Sequence, residues 1–146
     1  MNNKASLSSP LRTKNQELGT SITQQSNAEE VLALCCVEAA LDKKAENPVV
    51  LDLREVSTFT DYFVIVSGTS EPQIKAIANS IRDKMRTEQG LQPFSDDSYP
   101  GSPWIVIDYG SVVVHIFHER LRALYDLESL WGDARRVMLQ EQKVAK

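Results

Sequence analysis

Apolar positions along the chain fall into two kinds of spacing, and the alternation between them predicts the elements. Val31, Leu34, Val37 and Leu41 recur at helical spacing. Asn27 precedes them as an N-cap, and Glu30 stands three residues on in a capping-box arrangement. This first helix should end at Asn47-Pro48. Two strand-sized runs follow, Val49–Arg54 and Asp61–Ser67, and their short link from Glu55 to Thr60 permits antiparallel pairing. A second helix begins after Ser67-Gly68-Thr69-Ser70. Ser70 and Gln73 form a capping box, Pro72 lies in the first turn, and Ile74, Ile77, Ile81 and Met85 make one stripe closed by Gly90.

Leu91–Ser95 reads as a short edge strand that tolerates Pro93, and Asp96–Pro103 as a turn-rich loop. Trp104–Asp108 and Val112–Phe117 carry the strongest strand signals, with Gly110 in the turn between them. Glu119–Tyr125 is helical, and a short turn spans Asp126 to Trp131. Strand Asp61–Ser67, the second helix and strand Trp104–Asp108 form a βαβ-like crossover, right-handed by rule. The fold class is therefore α/β in the mixed, α+β sense: a sheet of about five strands flanked by helices.

Residues 1–27 break the pattern. They are rich in Ser, Thr, Asn and Gln without apolar periodicity, a composition expected to stay disordered. They also lack the apolar segment of a secretory signal. Residues 28–134 form the domain, and 135–146 a polar C-terminal tail open to helix. No apolar run has the roughly 18 residues a membrane span needs.

Charge narrows the partners. The net −4 divides into +2 over residues 1–27 and −6 over the rest, so phosphate backbones repel the domain and direct, non-specific nucleic-acid binding is not expected. The two cysteines, Cys35 and Cys36, are adjacent in a helix and cannot easily bridge; they read as small core residues of a reducing compartment.

Catalytic chemistry finds few footholds. Ser67–Ser70 lies between a strand and a helix N-terminus, where backbone N–H groups could cradle phosphate, but no Lys follows as a P-loop requires. A Gly-permitted turn with a Ser cap is the simpler reading. Nucleotidyltransfer needs paired carboxylates aimed at the same metal ions. Here Asp108 stands alone, with Val106 and Gly110 two residues to either side, and the adjacent Asp96 and Asp97 would point to opposite faces of a strand. His115 and His118 lack a third ligand for zinc, and no G-x-S-x-G elbow is present. No metal or cofactor is expected.

Binding has better candidates. Trp104 opens the hairpin and Tyr109 occupies its turn, both residue types favoured at interfaces. A two-residue loop at Tyr109-Gly110 would set Trp104 opposite His115, and a three-residue loop at Asp108–Gly110 would set it opposite Val114. Spacing alone leaves Trp104 balanced between interface and core.

Taken together, DYFVIVSGTS (61–70), QIKAIANSI (73–81), WIVIDYGSVVVHIF (104–117) and YDLESLWGDA (125–134) resemble the ribosomal silencing factor family, the Iojap-related proteins. The resemblance runs from about Ala28 to Ala134, with the motifs in order. It implies a nucleotidyltransferase-like fold without the catalytic carboxylates and a cytoplasmic, non-enzymatic translational repressor. Such a protein binds the large ribosomal subunit through large-subunit ribosomal protein fourteen and blocks joining of the small subunit. An organellar location is the lesser alternative. The resemblance places the contact surface on Trp104, Asp108, Tyr109 and His115, with Asp61 and Tyr62 on the neighbouring strand, and it allows a homodimer. Ser111 stands where an acidic residue is commoner in the family. The alternatives are a nucleotide-binding enzyme of nucleotidyltransferase type, and a large-subunit assembly factor.

Overall fold

The computed structural model describes residues 27–99 and 101–139. The disordered tail expected over residues 1–27 therefore lies outside it save for Asn27, as do residues 140–146. Helix α1 (Ala28–Leu41) leads into β1 (Glu46–Asp52) and β2 (Tyr62–Gly68), then α2 (Glu71–Gln89). The short β3 (Ser95–Asp97) precedes the hairpin β4 (Trp104–Asp108) and β5 (Val112–His118). Helices α3 (Glu119–Tyr125) and α4 (Leu127–Leu130) and the two-residue β6 (Arg135–Arg136) follow. The six strands form one mixed sheet in the order β3-β4-β5-β2-β1-β6.

Both long helices start as their caps dictate, but neither capping box closes reciprocally. Asn27 accepts from Glu30 N at 2.7 Å, while the Glu30 carboxylate accepts from the Tyr62 hydroxyl instead. Ser70 accepts from Gln73 N at 3.2 Å, while the Gln73 side chain turns to Thr69. At the end of α2, Gly90 takes φ +68° and Leu91 N donates back to Met85 O, so that Leu91 belongs to the cap and not to a strand. The stripe Ile74, Ile77, Ile81 and Met85 is buried, joined by Ala78.

The stripe expected on α1 is displaced. Val31 is exposed, and the buried positions are Ala33, Cys36, Val37 and Ala40, with Cys35 and Ala39 beside them. Small side chains let α1 lie close against α2, where the Ser80 hydroxyl donates to Ala39 O at 2.8 Å. A helix apolar on nearly every side offers more than one stripe, and closeness of approach selects among them. The cysteines are both free and buried, and burial pushes the Cys36 thiol up.

Several strand expectations are corrected. The first helix stops at Leu41, and Asn47-Pro48 lies inside β1 at a break in the β1–β2 register, with Asn47 at φ +51°. The edge strand is Ser95–Asp97, which shares only Ser95 with the expected strand and extends into the stretch expected as loop. Arg82 fixes it there by gripping Asp96 through Nε at 2.6 Å and Nη2 at 2.8 Å. The parallel partner of β2 is β5, whereas β4 runs antiparallel to β5 one strand further out. The sheet has six strands, because Arg135–Arg136 pair with Leu51 and Asp52 where a polar, helix-prone tail was expected to begin. Asp126–Trp131, expected as a turn, contains the single-turn helix α4.

The sheet separates two apolar layers. On one face Tyr62, Val64, Val66, Ile105, Ile107, Val112, Val114 and Ile116 pack under α1 and α2. On the other, Leu51, Leu53, Phe63, Ile65, Val113 and Phe117 are covered thinly, chiefly by Leu121, Leu127, Trp131 and Ala134 from the short C-terminal elements. Central strands β2 and β5 are buried on both faces, which is why they read as unbroken apolar runs.

Candidate interaction surface

The hairpin register decides which side chains share a face. Trp104 pairs with Phe117, Val106 with His115 and Asp108 with Val113, while Tyr109 N donates to Val112 O at 2.9 Å. The loop is therefore the two residues Gly110-Ser111, so that neither register weighed from the sequence is adopted. Asp108 causes the shift: its Oδ1 accepts from Gly110 N at 2.7 Å, which keeps Asp108 in the strand and starts the turn at Gly110, with φ +88°.

Trp104 and His115 nonetheless share one surface, as diagonal neighbours across the pair. Trp104 Nε1 donates to His115 Nδ1 at 3.2 Å. The Trp104 ring stacks on Phe117 at 4.7 Å between centroids and meets Tyr125 of α3 at 5.0 Å. From His115 the aromatic contacts continue to Phe63 at 4.6 Å, from Phe63 to Trp131 at 5.8 Å, and from Trp131 to Phe59 at 6.1 Å. The result is a continuous aromatic band across the thinly covered face. Its outer members stand in solvent: Phe59 is 64% exposed and Tyr125 51%, and the short helices α3 and α4 also expose Leu124 and Leu130.

Residues 118–131 carry the outer part of this band. His118 caps α3 by accepting from Arg120 N. Arg122 then donates to Ser67 Oγ at 2.8 Å and to Glu128 at 2.7 Å, tying α3 and α4 to the end of β2. His115 is sealed within the band at 7% exposed. Burial pushes it down to about 4, so at neutral pH the ring is uncharged. Because Nδ1 accepts, the proton resides on Nε2, which is buried without a hydrogen-bond partner.

The other residues anticipated at this surface are placed differently. Tyr62 and Tyr109 point to the opposite face and are buried beneath the helices. The Tyr62 hydroxyl meets Asn27 and Glu30, and the Arg54 guanidinium lies 5.5 Å from its ring centroid. The Tyr109 hydroxyl is buried without a partner, and burial pushes it up. Asp61 and Asp108 are half-buried at the turn end of the hairpin, where the backbone N–H groups of Asp61 and Tyr62 both donate to Ser111 O. The structure thus joins Trp104 with His115, sets Asp61 and Asp108 at the turn end of the strands, and withdraws both tyrosines. Phe59, Phe63, Phe117, Tyr125 and Trp131 went unnoticed as site residues, although Phe63 and Phe117 share the strand parity of His115.

The side-chain hydroxyls of the Ser67–Ser70 turn and the backbone N–H of Thr69 are already engaged. Thr69 N and its hydroxyl donate to Gln73 Oε1 at 2.7 and 3.2 Å, and Ser67 accepts from Arg122. Gln73 Nε2 donates to the carbonyls of Lys43 and Lys44, so this side chain closes the turn and fastens it to the end of α1. A Cβ on Gly68 would meet Ile74 at 3.0 Å and Gln73 at 3.2 Å. This arrangement favours the tight turn with a Ser cap over a phosphate cradle. Among the described residues no group of three or more His, Cys, Asp or Glu lies together as a metal site would need. Nor, among them, is any helix long and apolar enough to cross a membrane.

Comparison with known proteins decides the family. Residues 24–146 match the family described as "Ribosomal silencing factor during starvation". The chain belongs to this family. It is 45% identical over 112 residues to the ribosomal silencing factor of Halalkalibacterium halodurans, covering 77% of this chain and 94% of that protein. It is 40% identical over 108 residues to that of Bacillus subtilis, covering 74% and 90%. A crystal structure of a protein from Chromobacterium violaceum superposes with a TM-score of 0.69 at 29% identity, covering 73% of this chain and 88% of that one. The ribosomal silencing factor family is thus the setting of the aromatic band: these relatives are named as silencing factors of the ribosome, not as enzymes, and the biology is translational regulation.

Proposed function

We propose that this ribosomal silencing factor acts in the cytoplasm, without catalysis, by docking its aromatic face on the large ribosomal subunit. The contact is with large-subunit ribosomal protein fourteen, and the bound protein occludes the surface the small subunit must reach. The observation that carries this reading is the band running from Phe59 through Trp131, Phe63 and His115 to Trp104 and Tyr125, with its apolar margin exposed. A contiguous apolar patch of this kind is uncommon on a protein that works alone. Trp104 is the natural anchor, since buried aromatic side chains dominate interface energetics. Asp61 and Asp108 add negative charge at the turn end, suited to the basic surface of a ribosomal protein and to orienting the encounter. Tyr62 and Tyr109 contribute by shaping the strands from behind. An interface of about 800 Å² per partner is enough to exclude a second large body.

The test is co-sedimentation with isolated large subunits, coupled to light scattering as small subunits are added. The wild-type protein is expected to sediment with large subunits and slow their joining. Trp104→Ala is expected to weaken association at least about fivefold, equivalent to about 1 kcal/mol. Undiminished association by Trp104→Ala would remove the hairpin from the interface.

A further inference from the structure

His115 was expected to touch the partner, yet it is nearly sealed from solvent while Trp104 beside it is only partly buried. Stacking between Phe117 and Tyr125 fixes the plane of the Trp104 ring but says little about which edge faces inward. An aromatic stack tolerates sliding and a flip of the indole, whereas a hydrogen bond from one ring atom does not. Trp104 has a single polar atom, Nε1, and its partner is His115 Nδ1 at 3.2 Å. Flipped, the indole would lose that acceptor.

His115 can serve this purpose because nothing competes for it. Nε2 has no partner, and the ring is wedged between Phe63 at 4.6 Å and Phe117 at 6.2 Å. A neutral imidazole with its proton on Nε2 keeps a lone pair on Nδ1, directed at Trp104. Leucine or phenylalanine would fill the same space in this apolar layer without leaving Nε2 unsatisfied. A histidine here has a cost that the Trp104 hydrogen bond explains.

We propose that His115 is a positioning residue: from beneath the surface, its Nδ1 holds the Trp104 indole in the one orientation that docks on the large subunit. The proposal rests on Trp104 being the docking anchor. It adds that the face is pre-set before the partner arrives, and that the polar edge of Trp104 is turned inward so that its hydrocarbon edge meets the partner.

Four variants of the full chain test it: His115→Leu, His115→Asn, His115→Gln and Trp104→Ala. Each is read by the indole N–H resonance of Trp104 in ¹H–¹⁵N spectra and by co-sedimentation with large subunits. Asparagine places an acceptor where Nδ1 stood, and glutamine places one near Nε2. His115→Leu should shift the Trp104 resonance, speed its exchange with water and weaken association about tenfold. His115→Asn should bring both readouts back to within about threefold of wild type, and His115→Gln should not. The proposal is overturned if His115→Leu leaves the resonance and the association unchanged. It is also overturned if asparagine restores the resonance without restoring association, or if glutamine restores both as well as asparagine does. Wild-type association by Trp104→Ala, with the resonance still responding to His115→Leu, overturns the anchoring role of Trp104 and leaves the hydrogen bond standing as a purely structural one.

Discussion

Arg122 and Glu128, six residues apart, close an ion pair of 2.7 Å across the break between α3 and α4, with both side chains largely shielded from solvent. Arg122 also donates to Ser67 at the end of β2, so one guanidinium fastens two short helices to the central sheet. Neither helix has a buried residue to hold it by packing alone. Arg122→Met is therefore expected to lower stability by about 2–4 kcal/mol, because it leaves the Glu128 carboxylate partly buried and unpaired. Urea unfolding monitored by tryptophan fluorescence would measure this. A loss below about 0.5 kcal/mol would show the pair to be no more than a surface ion pair.

The pH dependence follows from His115 and Asp52. His115 is held near 4 in the folded protein, against 6.5 for the free side chain. Between those values the unfolded chain binds a proton that the folded one does not, so stability rises with pH across that window. The full effect is on the order of 3 kcal/mol, lost as pH falls from 6.5 toward 4. Asp52 is depressed by its hydrogen bonds from Arg54, and its contribution is lost at still lower pH, below the ordinary carboxylate value. Thermal unfolding between pH 4 and 7 should show the slope in the wild type and a flatter one in His115→Leu.

Tyr109 offers a sharper contrast. Its ring belongs to the helix-side core, and its hydroxyl is buried without a partner. Removing an unsatisfied buried hydroxyl relieves its desolvation, so Tyr109→Phe should leave stability unchanged or raise it by up to about 1 kcal/mol. Association with large subunits should be unaffected. A clear loss of association with stability intact would place the Tyr109 hydroxyl at the interface after all.

At the hairpin turn, Gly110 takes φ +88°, a conformation that side chains disfavour. Gly110→Ala should cost about 1–2 kcal/mol, and Gly110→Asn less, by differential scanning calorimetry. The Cβ of alanine would also come within 2.6 Å of the Phe94 ring, but Phe94 is solvent-exposed and can turn aside. Equal stability of the alanine and glycine proteins would mean the turn relaxes to another geometry.

Much of this architecture was legible in the sequence where one signal dominated. The stripe of α2, its Ser70 and Gly90 caps, and the doubly buried β2 and β5 each follow from local spacing. Where two local solutions competed, tertiary contact chose. Helix α1 could bury Val31 and Leu34 or the small residues Ala33, Cys36 and Ala40, and close approach to α2 selected the latter. Glu30 and Gln73 had the spacing of closed capping boxes, yet Tyr62 and Thr69 drew their side chains away. The edge strand shifted to Ser95–Asp97 because Arg82, thirteen or more residues earlier, grips Asp96.

The candidate surface was half legible. Trp104 and His115 stood out by residue type, and their shared face survived a register that neither loop length anticipated. The Asp108 side chain made the difference by capping the turn, which residue spacing does not encode. Tyr109 was misleading because an aromatic residue in a turn looks exposed, whereas the last residue of strand pairing faces the core. The contribution of residues 118–131 escaped notice because their role depends on Arg122 reaching Ser67, 55 positions back along the chain.

The parallel seam between β2 and β5 has a consequence for how the molecule forms. Tyr62 pairs with Val112, fifty residues later, and every other strand pair joins on to one side of this seam or the other. The β1–β2 and β4–β5 pairs can each close early from short segments, but the two halves meet only once the segment between β2 and β5, α2 included, has been made. Closing so long a loop is slow compared with hairpin formation. During synthesis α1 and α2 can cover one face of the apolar β2 early, but its other face must wait for the last third of the chain, which supplies β5 and the C-terminal elements.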